Sequence, residues 1–223
     1  MLKNGLYNLV LLPKKNLIFV SEISNKIIKF HIDPETKNII EKNYKFNLHS
    51  VHTYFDSSFN VSDNGSVLYA PHRIVQFKCI IESFKTNKVS FLIMNKSSEI
   101  RSIQISELNR LIIYGSTLSK IRLHHLFNQK KLYSLDKNIT GDINFMKLSS
   151  CHNFFVAGSQ SNNVYIFKMK SRFEKLTTID FGNNVFTFFI NIKKMILFIG
   201  GWNKSIQIKD LKNLDCVEDF VID

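Results

Sequence analysis

Met195-Ile196-Leu197-Phe198-Ile199-Gly200-Gly201-Trp202-Asn203-Lys204-Ser205-Ile206-Gln207-Ile208-Lys209-Asp210 is the clearest copy of a phrase that the chain repeats. A short apolar run over 196–199 enters a polar turn, and an alternating segment over 205–209 then closes on a Lys-Asp pair. An uninterrupted apolar run of this length suits a strand covered on both faces and is too short for a helix. The alternation that follows has the period of two expected of a half-buried strand.

The phrase recurs. Alternating segments lie at 26–30, 73–77, 120–124, 163–167 and 205–209, with successive starts 47, 47, 43 and 42 residues apart. Each is preceded by a more apolar run, at 17–20, 67–70, 111–114, 154–157 and 196–199. Further upstream, strands are expected at 6–11, within 54–61, and at 100–105, 143–148 and 185–190, each followed by a polar turn. Asp63-Asn64-Gly65 is the strongest hairpin signal among those turns. More polar segments at 39–46, 89–93, 131–135, 175–179 and 214–220 suit outer edge strands, where charge discourages sheet-to-sheet aggregation. Four strands per unit and a period in the forties are the marks of a propeller blade. The expected fold is therefore an all-β β-propeller of about five four-stranded antiparallel blades, roughly 5–46, 50–93, 100–135, 143–179 and 185–220, in a single domain over 5–220.

Two details carry local expectations. Gly115, Gly158 and Gly200 each stand five positions before the next strand, where they are expected to let the chain turn out of the sheet. In the second unit Ala70-Pro71-His72 predicts a shorter link, because Pro71 cannot donate to a strand ladder.

These repeats resemble WD-repeat β-propeller blades. The phrase Leu197-Phe198-Ile199-Gly200-Gly201-Trp202-Asn203-Lys204-Ser205-Ile206-Gln207-Ile208-Lys209-Asp210 is similar to that family's pattern of apolar strand, Gly or Ser, Asx-containing turn and a strand closing on Trp-Asp. Lys209-Asp210 stands where Trp-Asp usually stands, and none of the five repeats contains that dipeptide. The fourth repeat matches through Val156-Ala157-Gly158-Ser159 and Val164-Tyr165-Ile166-Phe167. The likeness extends over about 5–220 and implies a non-catalytic protein-interaction scaffold or adaptor. Family propellers commonly have more than five blades. The chain is therefore read as an incomplete arc, with a closed five-bladed ring as the alternative.

Composition sets the outer bounds. The 223 residues are 44% apolar and 22% charged, which is globular, with Phe common (20) and Gly (8) and Pro (3) scarce. A net charge of +12 draws anions, so nucleic acid or a phosphoinositide membrane is the alternative partner class. The densest basic clusters are Lys14-Lys15, Lys130-Lys131, Lys168/Lys170/Arg172 and Lys193-Lys194, and they are expected to be dispersed over solvent-facing turns. Cys79, Cys151 and Cys216 form no Cys-x-x-Cys and read as small buried thiols. With no signal-peptide pattern and no long apolar span, the reading is an intracellular protein, cytoplasmic or nuclear, without a transmembrane segment.

No Gly-x-Gly-x-x-Gly, Walker-type run or Gly-x-Ser-x-Gly occurs, so neither a phosphate loop nor a nucleophile elbow is expected. His124 and His125, adjacent on a strand, point to opposite faces and cannot readily share an ion. His49 and His52 have helical ligand spacing where no helix is expected. Asp33, Glu35, Glu218, Asp219 and Asp223 read as solvated turn or terminal groups. No enzyme, metal or cofactor is expected. The remaining candidates are Trp202 and Lys204, as contacts to a protein partner. Trp202 is itself expected to pack on a neighbouring blade, since large aromatics are mostly buried.

Overall fold

The computed structural model describes residues 6–12, 15–22, 26–47, 59–62, 67–71, 78–83, 88–93, 99–128, 130–135, 138–169, 173–202, 205–213 and 216–221. Among these the architecture is all-β, without an α-helix. The strands form four-stranded antiparallel meanders, each in simple sequential order. The chain divides into two compact units, Met1–Ile103 and Gln104–Asp223.

The first unit holds two sheets. One is β1 (Leu6–Leu12), β2 (Leu17–Glu22), β3 (Lys26–Ile32) and β4 (Ile39–Asn47). The other is β5 (Asn60–Val61), β6 (Val67–Pro71), β7 (Lys78–Ser83) and β8 (Lys88–Ile93). Phe19 and Ile27 of the first sheet pack with Phe59 and Val61, and Val10, Leu12 and Leu17 lie against that cluster.

The second sheet departs from expectation at its third strand. The strand between β6 and β8 is Lys78–Ser83, registered through Pro71↔Cys79 and Val67↔Ser83. The segment 73–77, expected there, lies outside the described residues. Both segments are apolar and alternating, so periodicity alone could not choose between them; pairing to β6 and β8 does. The expected shorter link at Ala70-Pro71-His72 runs beyond Pro71 into residues outside the described ones. Pro71 occupies the last position of β6, where a missing donor interrupts no further ladder.

The second unit contains three sheets, the unit boundary falling inside β9. They are β9 (Ile100–Ser106), β10 (Leu111–Ser116), β11 (Lys120–His125) and β12 (Lys131–Leu135); β13 (Ile143–Leu148), β14 (Phe154–Ser159), β15 (Asn163–Met169) and β16 (Phe173–Asp180); and β17 (Val185–Asn191), β18 (Ile196–Gly201), β19 (Ser205–Asp210) and β20 (Cys216–Val221). The sheets stack face to face. β13 packs on β10, and β17 packs on β13 and β14.

Alternation sends successive side chains of the middle sheet to different neighbours. Phe155, Ala157, Tyr165 and Phe167 meet Ile113, Ile121 and Leu123 of the sheet before. Val156, Val164 and Ile166 meet Val185, Leu197 and Ile199 of the sheet after. β14 is consequently buried along its whole length, as its continuous apolar run requires. Phe155 and Phe167 stack with centroids 4.4 Å apart. Each such side chain removed from water contributes about 1.5–3 kcal/mol. The outer strand β12 is exposed over its first three residues, in keeping with its polarity.

The glycines do not serve the role the spacing assigned them. Gly115, Gly158 and Gly200 lie inside β10, β14 and β18, and none has a positive φ. Their role is close approach. A Cβ on Gly115 would run into Ile143 of β13, and one on Gly158 would lie 2.9 Å from the Phe188 ring and 3.3 Å from Val185. In the described turns after second strands the left-handed positions are instead Leu118, Ser119 and Asn162.

Repetition extends below the level of sequence. First strands are irregular at the same place, between Leu6/Asn8, Ile143/Phe145 and Val185/Thr187, which increases the local twist. In four sheets the residue ending the third strand, or the one just after it, donates its N–H to the turn before the second strand. The pairs are Ile32 to Asn16, Leu126 to Arg110, Met169 to Asn153 and Leu211 to Met195, at 2.6–2.7 Å. These bonds hold the turns after strands one and three side by side at one end of each meander. The turn after strand two lies at the other end.

Candidate functional site

Trp202 follows β18 directly. Its N–H donates to the carbonyl of Asn184 at 3.0 Å, as Gln160 donates to Asp142 at 3.0 Å in the preceding sheet. Gly201 allows this closure, since a Cβ there would strike the Asn184 carbonyl and the Phe181 ring. The indole is 70% exposed, so the expected burial against a neighbouring blade does not occur. The bond to Asn184 fixes the backbone of the turn and leaves the side chain projecting. Its support is an aromatic chain. Trp202 lies on Phe186 with centroids 5.6 Å apart, and Phe186 meets Phe145 edge-on at 5.7 Å. Lys204, the other predicted contact, and His49 and His52 lie outside the described residues.

Three described histidines, His124, His125 and His152, take structural roles. His124 is buried against Tyr114, its Nε2 being 3.4 Å from the Tyr114 hydroxyl. His125 Nδ1 accepts the N–H groups of Phe127 and Asn128 at 3.3 and 3.4 Å. His152 Nδ1 is 2.9 Å from Ser106 Oγ, a pairing that spacing could not reveal because 46 residues separate the two. Ser106 Oγ also accepts the Asn109 N–H, and Asn109 Nδ2 donates to the His152 carbonyl at 2.8 Å. Ser106 is fully buried, so this pair clamps two turns together and does not present a nucleophile. Cys151 is a half-buried free thiol with Sγ 3.4 Å from Ser149 Oγ. Among the described residues, no three His, Cys, Asp or Glu side chains gather around one point, and no helix is long and apolar enough to cross a membrane.

A hydroxyl network ties the fourth sheet together at the other end. Tyr165 Oη accepts the Thr140 N–H at 2.8 Å, Thr140 Oγ1 lies 2.9 Å from Ser161 Oγ, and Ser161 Oγ lies 2.8 Å from Ser159 Oγ. Ser161 also donates to the Thr140 carbonyl, and Asn163 Nδ2 donates to Thr140 Oγ1.

Two surface features lie outside what the sequence pattern shows. An apolar groove of about 290 Å³ opens on the outer face of the β17–β20 sheet, lined by Thr187, Phe188, Phe189, Phe198, Gly200 and Ile206. Phe189 is 59% exposed there. The second feature is charge. In the second unit the described turns after first and third strands carry Arg110, Lys130, Lys193, Lys194 and Lys212 against one acid, Glu107. Asp142 and Asp180 stand at the opposite end. Asp210, which ends β19, stands at the same end and accepts the Lys212 N–H, and Lys120 opens β11 at the opposite end. The exposed basic residues of the described turns are concentrated at one end of this unit, where dispersal was expected. The sequence held that signal in the identity of each turn, but only strand direction sorts the turns into two ends. Compared with models of known protein families and with curated proteins, the chain matches none.

Proposed function

We propose that the chain is a non-catalytic, intracellular interaction scaffold built of WD-like blades, forming an arc of a β-propeller, with Trp202 as a contact to a protein partner. The exposed indole, backed by Phe186, carries this reading. An aromatic side chain already ordered by a neighbour loses little conformational freedom on binding, and Trp is enriched among residues that dominate interfaces. The Thr140–Ser159–Ser161–Tyr165 network supports the WD-like reading, because it links the approach to a first strand with the turn before the third. In the family a network of His, Asp and Trp is built for the same purpose. The free thiol of Cys151 fits a reducing compartment.

Affinity capture with the full chain and with Trp202→Ala tests the contact. The expected result is a partner lost from the variant while its urea midpoint stays unchanged. Equal recovery by both proteins would remove Trp202 from the interface, and substrate turnover by the purified chain would remove the scaffold reading. The charge asymmetry favours a second reading, a basic module that binds polyanions.

A further inference from the structure

Two apolar tips stand at the basic end of the β9–β12 sheet. Leu108, in the turn after β9, and Phe127, in the turn after β11, are each 71% exposed. The turns are neighbours, because the Leu126 N–H donates to the Arg110 carbonyl at 2.7 Å. They are also held from within. The N–H groups of Phe127 and Asn128 reach His125 Nδ1, and the His125 N–H donates to the Lys130 carbonyl at 2.9 Å. Arg110, Lys130 and Lys131 lie in or next to these turns and are exposed, and half-buried Glu107 is the one acid beside them in the turn after β9.

The other sheets of this unit present the same end alongside. Ser106 and Asn109 bind His152 across the turns at this end, while at the opposite end the Leu118 N–H donates to Asp142 Oδ1. Val185, which begins β17, packs near Gly158, close to where β14 ends. Lys193, Lys194 and Lys212, all exposed, therefore extend the basic surface.

We propose that this end of the second unit docks on an anionic lipid bilayer, inserting Leu108 and Phe127 between headgroups while the neighbouring cations meet lipid phosphates. This rests on the polyanion-binding reading and narrows it to one partner. Preformed apolar tips beside exposed cations that outnumber the acids match the layered chemistry of a membrane surface, where charge lies outside hydrocarbon. A nucleic-acid surface uses flat side chains for stacking, and Leu108 offers no flat face. Trp202 lies at the opposite end of this unit and stays in water when the tips insert.

The test is co-sedimentation of the full chain with vesicles of phosphatidylcholine alone, or with about a third phosphatidylserine, at about 0.1 M and then about 0.5 M salt. Binding is expected only with phosphatidylserine, weakening as salt rises, with native tryptophan emission unchanged. Leu108→Ser/Phe127→Ser and, separately, Lys193→Glu/Lys194→Glu should each lower partitioning roughly tenfold with unaltered circular dichroism. A Phe127→Trp variant should add a blue-shifted component on binding. Vesicle binding that survives loss of both tips, or a blue shift of Trp202 itself, overturns the proposal. Binding to polyuridylate but not to vesicles overturns it while leaving the polyanion reading intact. Failure to bind vesicles, polyuridylate or heparin even at low salt removes both.

Discussion

At the residue scale, glycines in equivalent strand positions differ in what they face. Gly115 and Gly158 are each covered by side chains from the next sheet, whereas among the described residues the would-be Cβ of Gly200 meets only Thr187 Cγ2, at 3.0 Å. Gly115→Ala should therefore destabilise the protein by about 1–3 kcal/mol, because Ile143 must be displaced from a packed face. Gly200→Ala should change stability by less than about 0.5 kcal/mol, since Thr187 is exposed and can move. Urea unfolding of the two variants measures the difference.

Asp33 shows a second local effect. Its Oδ1 accepts the N–H groups of Glu35 at 2.8 Å and Thr36 at 3.1 Å in the exposed turn between β3 and β4. The bonds from Thr36 and then Glu35 favour the charged form and hold this carboxyl below its ordinary pKa. A lowered folded-state pKa means that the turn's stabilisation is present above the unfolded value and is lost as pH falls through the folded one. In an NMR titration the Glu35 and Thr36 amide shifts should move together, with a midpoint below that of an unstructured Asp peptide.

At the scale of single elements, polar side chains define where strands begin and how turns close. Ser62 and Ser149 each accept the N–H that opens the following strand, from Val67 at 2.9 Å and Phe154 at 3.0 Å. Asn191 serves a related turn by accepting the Lys194 N–H at 3.2 Å. Short polar side chains compete for local backbone in this way, which is why Ser and Asn recur after the first strands. Tyr165 works over a longer distance, fixing the segment before β13 from within β15. Tyr165→Phe keeps the buried ring and removes the acceptor for the Thr140 N–H. A loss of about 1 kcal/mol is expected, moderated because Thr140 is exposed and water can replace the hydroxyl. Denaturant unfolding gives the loss, and hydrogen exchange at Thr140 should accelerate in the same variant.

For the molecule as a whole, stacking of meanders produces both the burial and the surface polarity. In the second unit the sheet formed by β13–β16 is covered on two faces, and the β17–β20 sheet is covered on one, leaving Phe189 and Phe198 beside an open groove. The same stacking brings like ends together, so Arg110, Lys130, Lys193, Lys194 and Lys212, separated by tens of residues, share one end with Glu107 and Asp210, while Asp142, Asp180 and Lys120 share the other with Trp202. Trp202→Ala removes a largely exposed side chain that touches Phe186, so it should leave the urea midpoint nearly unchanged.

Strand class and order were legible because burial on two faces demands continuous apolar runs such as Phe154-Phe155-Val156-Ala157, while half-burial demands alternation as in Ser205-Ile206-Gln207-Ile208-Lys209. These are local requirements, so a linear reading recovers them. The choice of 78–83 over 73–77 was not local, because both patterns satisfy the same rule and register with β6 decides. Nor was the purpose of Gly115 and Gly158, which depends on a sheet that arrives after them in the chain. Trp202 was legible as a candidate, but its exposure followed from a backbone bond to Asn184 that no composition rule contains. Periodicity along the chain thus determined the strands. Only the tertiary structure decided which ends, faces and side chains meet, because that depends on strand direction and register between segments far apart in sequence.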